Sequence, residues 1–196
     1  MNFIKIGLAA ALVASLGACV TPVGPVQVTR FHGADVTMLG KGTISVEPAP
    51  GVDGASIEWQ AYRSAVLRQL VTLGYSEAAP GSGAQVASLA LTRRTIDPQT
   101  RSPVSVGVGG STGTYGGGVG VGVGLNLSPK PGPEVATDLA VSIRDRASGT
   151  VLWEGRASFT VSAKSPLAST SLGAPKMTEA LFQGFPGQSG ATIEVK

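Results

Sequence analysis

Two runs in the second half of the chain, Val135 to Ile143 (VATDLAVSI) and Val151 to Val161 (VLWEGRASFTV), place apolar residues at every second position. Period two marks a strand with one buried face, because successive side chains point to opposite sides of a sheet. Val135, Thr137, Leu139, Val141 and Ile143 share one face of the first run; Val151, Trp153, Ala157, Phe159 and Val161 share one face of the second. Ala147-Ser148-Gly149-Thr150 between them has turn composition, so the two runs read as a hairpin with Trp153 in a core.

The element best suited to cover that face is Ser56 to Leu73. Trp59, Tyr62, Val66, Leu70 and Leu73 recur at helical spacing, with Glu58, Ser64, Arg68 and Thr72 mostly opposite. Ser56 is a suitable N-cap, Glu58 suits the first turn, and Gly74 is a suitable stop. Three further strands are expected at Val26–His32, Lys41–Glu47 and Val86–Ile96. Val26, Val28 and then Phe31 carry the first, with a slip in its alternation. A short C-terminal helix is expected from about Lys176, after Pro175, and a last edge strand at Ile193–Val195.

Between these lies GGGVGVGVGLNL, Gly116 to Leu127. In a strand, Val119, Val121, Val123, Leu125 and Leu127 take one face and Gly118, Gly120, Gly122 and Gly124 the other. Val104, Val106 and Val108 mirror this upstream, so 104–127 is expected to form a glycine-rich hairpin with Tyr115 near its tip. Bare glycine permits close approach of a neighbour. The stretch lacks G-x-G-x-x-G and GK[ST], which removes a phosphate loop. Internal packing, self-association along an edge, and insertion into a membrane remain open readings. Val106, Val108, Tyr115, Val119, Gly120, Val121, Gly122 and Val123 are the candidate contact residues.

The N-terminus speaks to location. MNFIKIGLAAALVASLGAC has one basic side chain, Lys5, then an apolar run from Ile6 to Leu16. That run is shorter than the roughly 20 residues a spanning helix needs, and small residues follow it, as in a secretory signal. Leu16-Gly17-Ala18-Cys19 resembles the lipobox of bacterial lipoproteins. The resemblance implies recognition of Leu16, Gly17 and Ala18 by a signal peptidase, and acylation of Cys19 as the first mature residue. Val20 after the cysteine, by the same resemblance, implies the outer membrane. Residues 1–18 are thus expected to be a signal peptide, 19–25 a lipidated tether and 26–196 one domain.

Composition narrows the chemistry. Cys19 is the only cysteine, so its acylation would leave no thiol for a disulfide, a nucleophile or a metal. Charged residues make up 14% of the chain, the net charge is +3 and no basic run occurs, which argues against nucleic acid. His32 is the only histidine and no H-E-x-x-H exists. The carboxylates are scattered, so neither a metal site nor a cofactor is expected. Arg93-Arg94 and Arg144-Asp145-Arg146 read as solvated strand ends.

The order of these features is distinctive. A lipobox, a short β segment, a helix ending in Leu73-Gly74-Tyr75, a glycine-rich hairpin, and the turn D-x-x-S-G-x-x-x-W-x-G from Asp145 to Gly155 follow one another. This resembles the bacterial lipoprotein family known as domain of unknown function 4136, over nearly the whole mature chain. The family implies no activity and no catalytic residues.

The expectation is an α+β fold: an antiparallel sheet with one main helix (about 56–73) packed on it, the hairpin, and the short C-terminal helix. The expected function is that of a non-catalytic envelope binding or scaffolding protein. It would be held by acyl chains on Cys19 to the periplasmic face of the outer membrane, and would meet an envelope protein or a second copy of itself. The alternative is an oligomeric or membrane-inserting protein acting through the hairpin; an envelope-polymer hydrolase is a third and weaker reading.

Overall fold

The computed structural model describes residues 23–98, 104–111, 118–125 and 132–196, the strands at 104–111 and 118–125 by their backbone alone. In chain order the elements are β1 (Val26–His32), β2 (Thr43–Pro48), α1 (Ile57–Thr72), β3 (Ser76–Glu77), β4 (Gln85–Ile96), β5 (Val104–Ser111), β6 (Gly118–Leu125), β7 (Glu134–Asp145), β8 (Val151–Ser162), a 3-10 turn (Pro166–Ala168), α2 (Thr170–Phe182) and β9 (Thr192–Val195). Seven strands form one sheet in the order β3-β2-β4-β7-β8-β1-β9. β5 and β6 pair with each other in a second ladder.

The large sheet is mixed, which corrects the antiparallel expectation. β2 runs parallel to both β3 and β4, while β4-β7, β7-β8, β8-β1 and β1-β9 are antiparallel. The cause is the helix between β2 and β4. Parallel neighbours need a crossover of a dozen or more residues, and α1 supplies it. The β7-β8 hairpin forms as its alternation demands, with one irregularity at Ile143/Arg144.

Both helices lie against one sheet face. Trp59, Tyr62, Ala65, Val66 and Leu70 of α1 are buried, together with Ile44, Leu89, Leu139, Val141, Ile143 and Trp153 of the strands. Each large apolar side chain so enclosed contributes roughly 1.5–3 kcal/mol relative to exposure. Ser56 caps α1: its hydroxyl accepts from the Trp59 N–H at 3.1 Å. The helix stops at Gly74, whose φ of +104° is left-handed and whose missing Cβ leaves room for the Gly40 carbonyl.

Two local expectations change. The buried series of β1 is Val26, Val28, Arg30, so the alternation does not slip and Phe31 points outward. α2 begins at Thr170, six residues before the expected start, with Pro175 inside it. Proline near a helix start removes a single backbone bond. The burial of Ala174, Met177, Ala180, Leu181 and Phe182 outweighs that loss.

Candidate functional site

Arg93 and Arg146, expected in solvent, fasten the fold together with a third arginine, Arg30. Arg93 of β4 lies beneath the first turns of both helices. Its Nη1 donates to Glu58 Oε1 at 2.5 Å and to Thr170 Oγ1 at 2.8 Å, and Thr170 donates to the same Glu58 oxygen at 2.9 Å. Its Nη2 donates to the Ala168 carbonyl. Arg94, the neighbour on the other face, makes an exposed pair with Asp138.

Arg146 does the same at the other end of the sheet. Its Nη2 donates to Glu47 Oε1 at 2.6 Å and to Ser45 Oγ at 2.7 Å, and its Nε to the Gly83 carbonyl at 3.0 Å. Glu47 also accepts from the Ser45 hydroxyl at 2.6 Å and the Gly81 N–H at 2.9 Å. The Ser45 hydroxyl foremost, then the Gly81 N–H and Arg146, outweigh partial burial and hold the Glu47 carboxyl at about 2. The network ties β2 to the loop before β4 and to the β7-β8 turn.

Arg30 is the most buried charge among the described residues. Its Nε and Nη2 donate to the carbonyls of Leu181 at 2.9 Å and Ala180 at 3.0 Å, in the last turn of α2. That turn has no basic residue of its own, so Arg30 serves its unpaired carbonyls from the strand β1 beneath it. Burial draws the guanidinium below its usual pKa. Arg30 continues the buried spacing of Val26 and Val28, where a charge reads as a break in the pattern. His32, the single histidine, has its Nδ1 2.7 Å from the Gly33 carbonyl and its Nε2 3.0 Å from the Gly187 carbonyl. It helps to hold the 184–190 loop onto β1.

The Asp145–Gly155 turn is built the same way. Asp145 Oδ1 accepts from the Ser148 N–H at 2.8 Å and hydroxyl at 2.7 Å, which hold its carboxyl below the usual range, and Gly149 takes a φ of +71°. Trp153 is fully buried, stacked on Phe182 with centroids 5.3 Å apart, and its Nε1 donates to the Pro186 carbonyl at 3.0 Å. A Cβ on Gly155 would lie 2.2 Å from the Trp153 ring, so the glycine is space for the indole.

Among the described residues no group of three metal-binding side chains gathers. A cavity of about 170 Å³ opens on the sheet face opposite the helices, over Ser88, Ala90, Ala140 and Ser142, rimmed by Glu154 and Arg156. The β5-β6 ladder holds most of the candidate contact residues. Its register sets Val106 opposite Val123 and Val108 opposite Val121, with Gly107 opposite Gly122 and Gly109 opposite Gly120; Val119 lies opposite Gly110. Directly opposed residues share a face, so valine positions gather on one side and glycine positions on the other. Tyr115, within the 112–117 connection, lies outside the described residues, as do Leu16, Gly17, Ala18 and Cys19.

Residues 45–187 match a family model described as Domain of unknown function (DUF4136), from β2 to the loop after α2. The chain belongs to this family. The DUF4136 match takes in α1, the β5-β6 ladder and the Asp145–Gly155 turn. Similar solved structures include a PDZ domain protein from Parabacteroides distasonis, at 9% identity and a TM-score of 0.48, over 94% of this chain and 41% of that one. This chain thus spans less than half of that protein's length. Two crystal forms of a PelC dodecamer from Paraburkholderia phytofirmans are similar at 13% identity. Their TM-scores are 0.43, over 80% of this chain and 94% of that one, and 0.44, over 84% and 99%. A search of curated proteins finds no match.

Proposed function

We propose that this DUF4136 protein is a lipid-anchored outer-membrane lipoprotein, facing the periplasm, with a non-catalytic role in binding or scaffolding another envelope component. The Leu16-Gly17-Ala18-Cys19 pattern after an apolar run supports the anchor. The binding role is carried by one observation, the register of β5 and β6. A two-stranded ribbon is marginal in water by itself. A ribbon with valine on one side and glycine on the other has one face suited to an apolar neighbour and one suited to close backbone approach.

Two experiments test this. Cells fed an alkyne-bearing fatty acid should label the chain, and Cys19→Ala should abolish the label; label that persists refutes the anchor. Gly120→Val with Gly122→Val should leave thermal stability unchanged while abolishing recovery of crosslinked partners from a photoreactive residue at Tyr115. Loss of stability instead would make the glycine face internal packing and remove the binding role.

A second reading is favoured by the lack of any charged residue from Ser102 to Pro129. In it the ribbon enters the membrane, with ribbons of other copies satisfying its open edges. Adducts at Tyr115 with lipid or with a second copy, rather than with another protein, would select this reading.

A further inference from the structure

The sheet register fixes which structures share an end of the molecule. β1 starts opposite the second half of β8 (Gln27 with Ser158), β8 ends opposite the start of β7 (Ser162 with Glu134), and β7 starts opposite the end of β4 (Glu134 with Ile96). The Arg93–Glu58–Thr170 cluster brings the first turns of α1 and α2 to this same end. The N-terminal tether arrives here, at Val26. The segment that holds β5 and β6 leaves here after Ile96 and returns at Glu134.

This end carries uncovered apolar side chains. Ile57, adjacent to Glu58, is 90% exposed, and Leu172, two residues beyond Thr170, is 50% exposed. Val23 and Ile96 are exposed as well. The charges here largely cancel. Glu58 pairs with Arg93 and Asp138 with Arg94. Asp97 and Glu134 are partly offset by Lys164, which follows the end of β8. The opposite end has exposed apolar residues too, among them Phe31 and Val151, so exposure alone does not choose between the ends.

Tether length chooses. From Cys19 to Val26 is seven residues, which span at most about 24 Å when fully extended. From the level of Val26 to that of Val151 is about 27 Å along β8, at about 3.4 Å per residue. The 33–42 loop lies past His32, the last residue of β1, at that far end. Resting the far end on the bilayer would call for the tether at full stretch together with the cysteine side chain and its glycerol, whereas the tether end reaches the bilayer with no stretching at all.

We infer that the tether end is a lipid-contacting surface: Ile57, Leu172, Val23 and Ile96 rest in the interfacial region of the bilayer that holds the acyl chains. The inference rests on the lipid-anchor reading and adds that the folded domain itself touches lipid. It turns the far end, with Phe31 and Val151, toward the aqueous side.

The test uses the full chain, processed in cells, with single substitutions Ile57→Cys, Leu172→Cys, Phe31→Cys and Val151→Cys. Acylation blocks Cys19, so each new thiol takes an environment-sensitive fluorophore alone. The protein is reconstituted in phosphatidylethanolamine–phosphatidylglycerol vesicles doped with nitroxide lipid, with circular dichroism to confirm folding. All four sites are exposed, so folding should survive. Labels at Ile57→Cys and Leu172→Cys should shift to the blue and be quenched several-fold, while those at Phe31→Cys and Val151→Cys stay water-like. An acylated protein, by intact mass, whose two ends behave alike overturns the inference and leaves the anchor standing. A protein whose mass shows no acyl groups overturns both.

Discussion

Gly155→Ala tests whether the tryptophan of the Asp145–Gly155 turn is a packing device. The added Cβ would stand 2.2 Å and 2.8 Å from two carbons of the Trp153 six-membered ring and 2.8 Å from Leu181 Cδ1. Ordinary carbon contacts begin near 3.5 Å, so the indole would have to move by about 1 Å or more. It has little freedom to do so. It is fully buried, stacked on Phe182, tilted against Phe185 at 5.2 Å, and fixed by its Nε1 bond to the Pro186 carbonyl. Overpacking of a rigid core costs typically 1–3 kcal/mol, and this locked ring places the loss at about 3 kcal/mol.

Urea unfolding followed by far-ultraviolet circular dichroism measures it. Trp153→Phe removes the ring carbons that the Cβ would strike, at the cost of a cavity and of the Nε1 bond. The double variant should therefore be more stable than the two single losses predict, by at least about 1 kcal/mol of coupling. A Gly155→Ala protein within about 0.5 kcal/mol of the parent, or a cycle that adds without coupling, would refute this packing role.

The polar clusters give three further predictions. Glu47 is held at about 2 against an ordinary 4.5, so its contribution is complete above pH 4.5 and is lost as pH falls toward 2. Because its side chain keeps 25% of its surface in water, screening reduces this to about 1–2 kcal/mol, and the stability gap between parent and Glu47→Gln should close over that pH range in urea titrations. Arg30→Met removes the bonds to Ala180 and Leu181 at the end of α2 and should cost about 2–4 kcal/mol, with faster hydrogen exchange in that last turn. Ser56→Ala removes the cap on the Trp59 N–H and should cost about 1 kcal/mol in thermal unfolding.

Elements with a clean period were legible in the sequence. β7 and β8 alternate without interruption, and α1 shows a stripe, a cap and a glycine stop, so all three lie within a few residues of their expected bounds. The mixed sheet was legible in principle, because a strand, a sixteen-residue helix and a strand is the pattern of a parallel crossover. The start of α2 was hidden by Pro175, which reads as a boundary until the burial of five apolar side chains is known. Arg30 was hidden because a charge at a buried phase looks like a slip in the pattern. Only a distant helix end, 150 residues along the chain, explains it. Arg93 and Arg146 were hidden for the same reason, since their partners come from other elements.

These corrections bear on where a function can reside. In the Asp145–Gly155 segment every motif residue serves the fold. Asp145 and Ser148 close the turn, Gly149 supplies its left-handed φ, Trp153 fills the core, and Gly155 leaves the space that ring occupies. Arg30, Arg93 and Arg146 are committed to helix ends and strand junctions. Residues occupied in this way hold the domain in one shape, and reassigning any of them to a ligand would cost the fold a bond it uses. What distinguishes this chain from a generic member of its fold is therefore sought where side chains have no internal duty. Ile57 and Leu172, exposed at the tether end, are two such side chains. Both lie at the end where the segment holding β5 and β6 leaves and returns, so the vesicle experiment probes the region in which membrane and partner would meet.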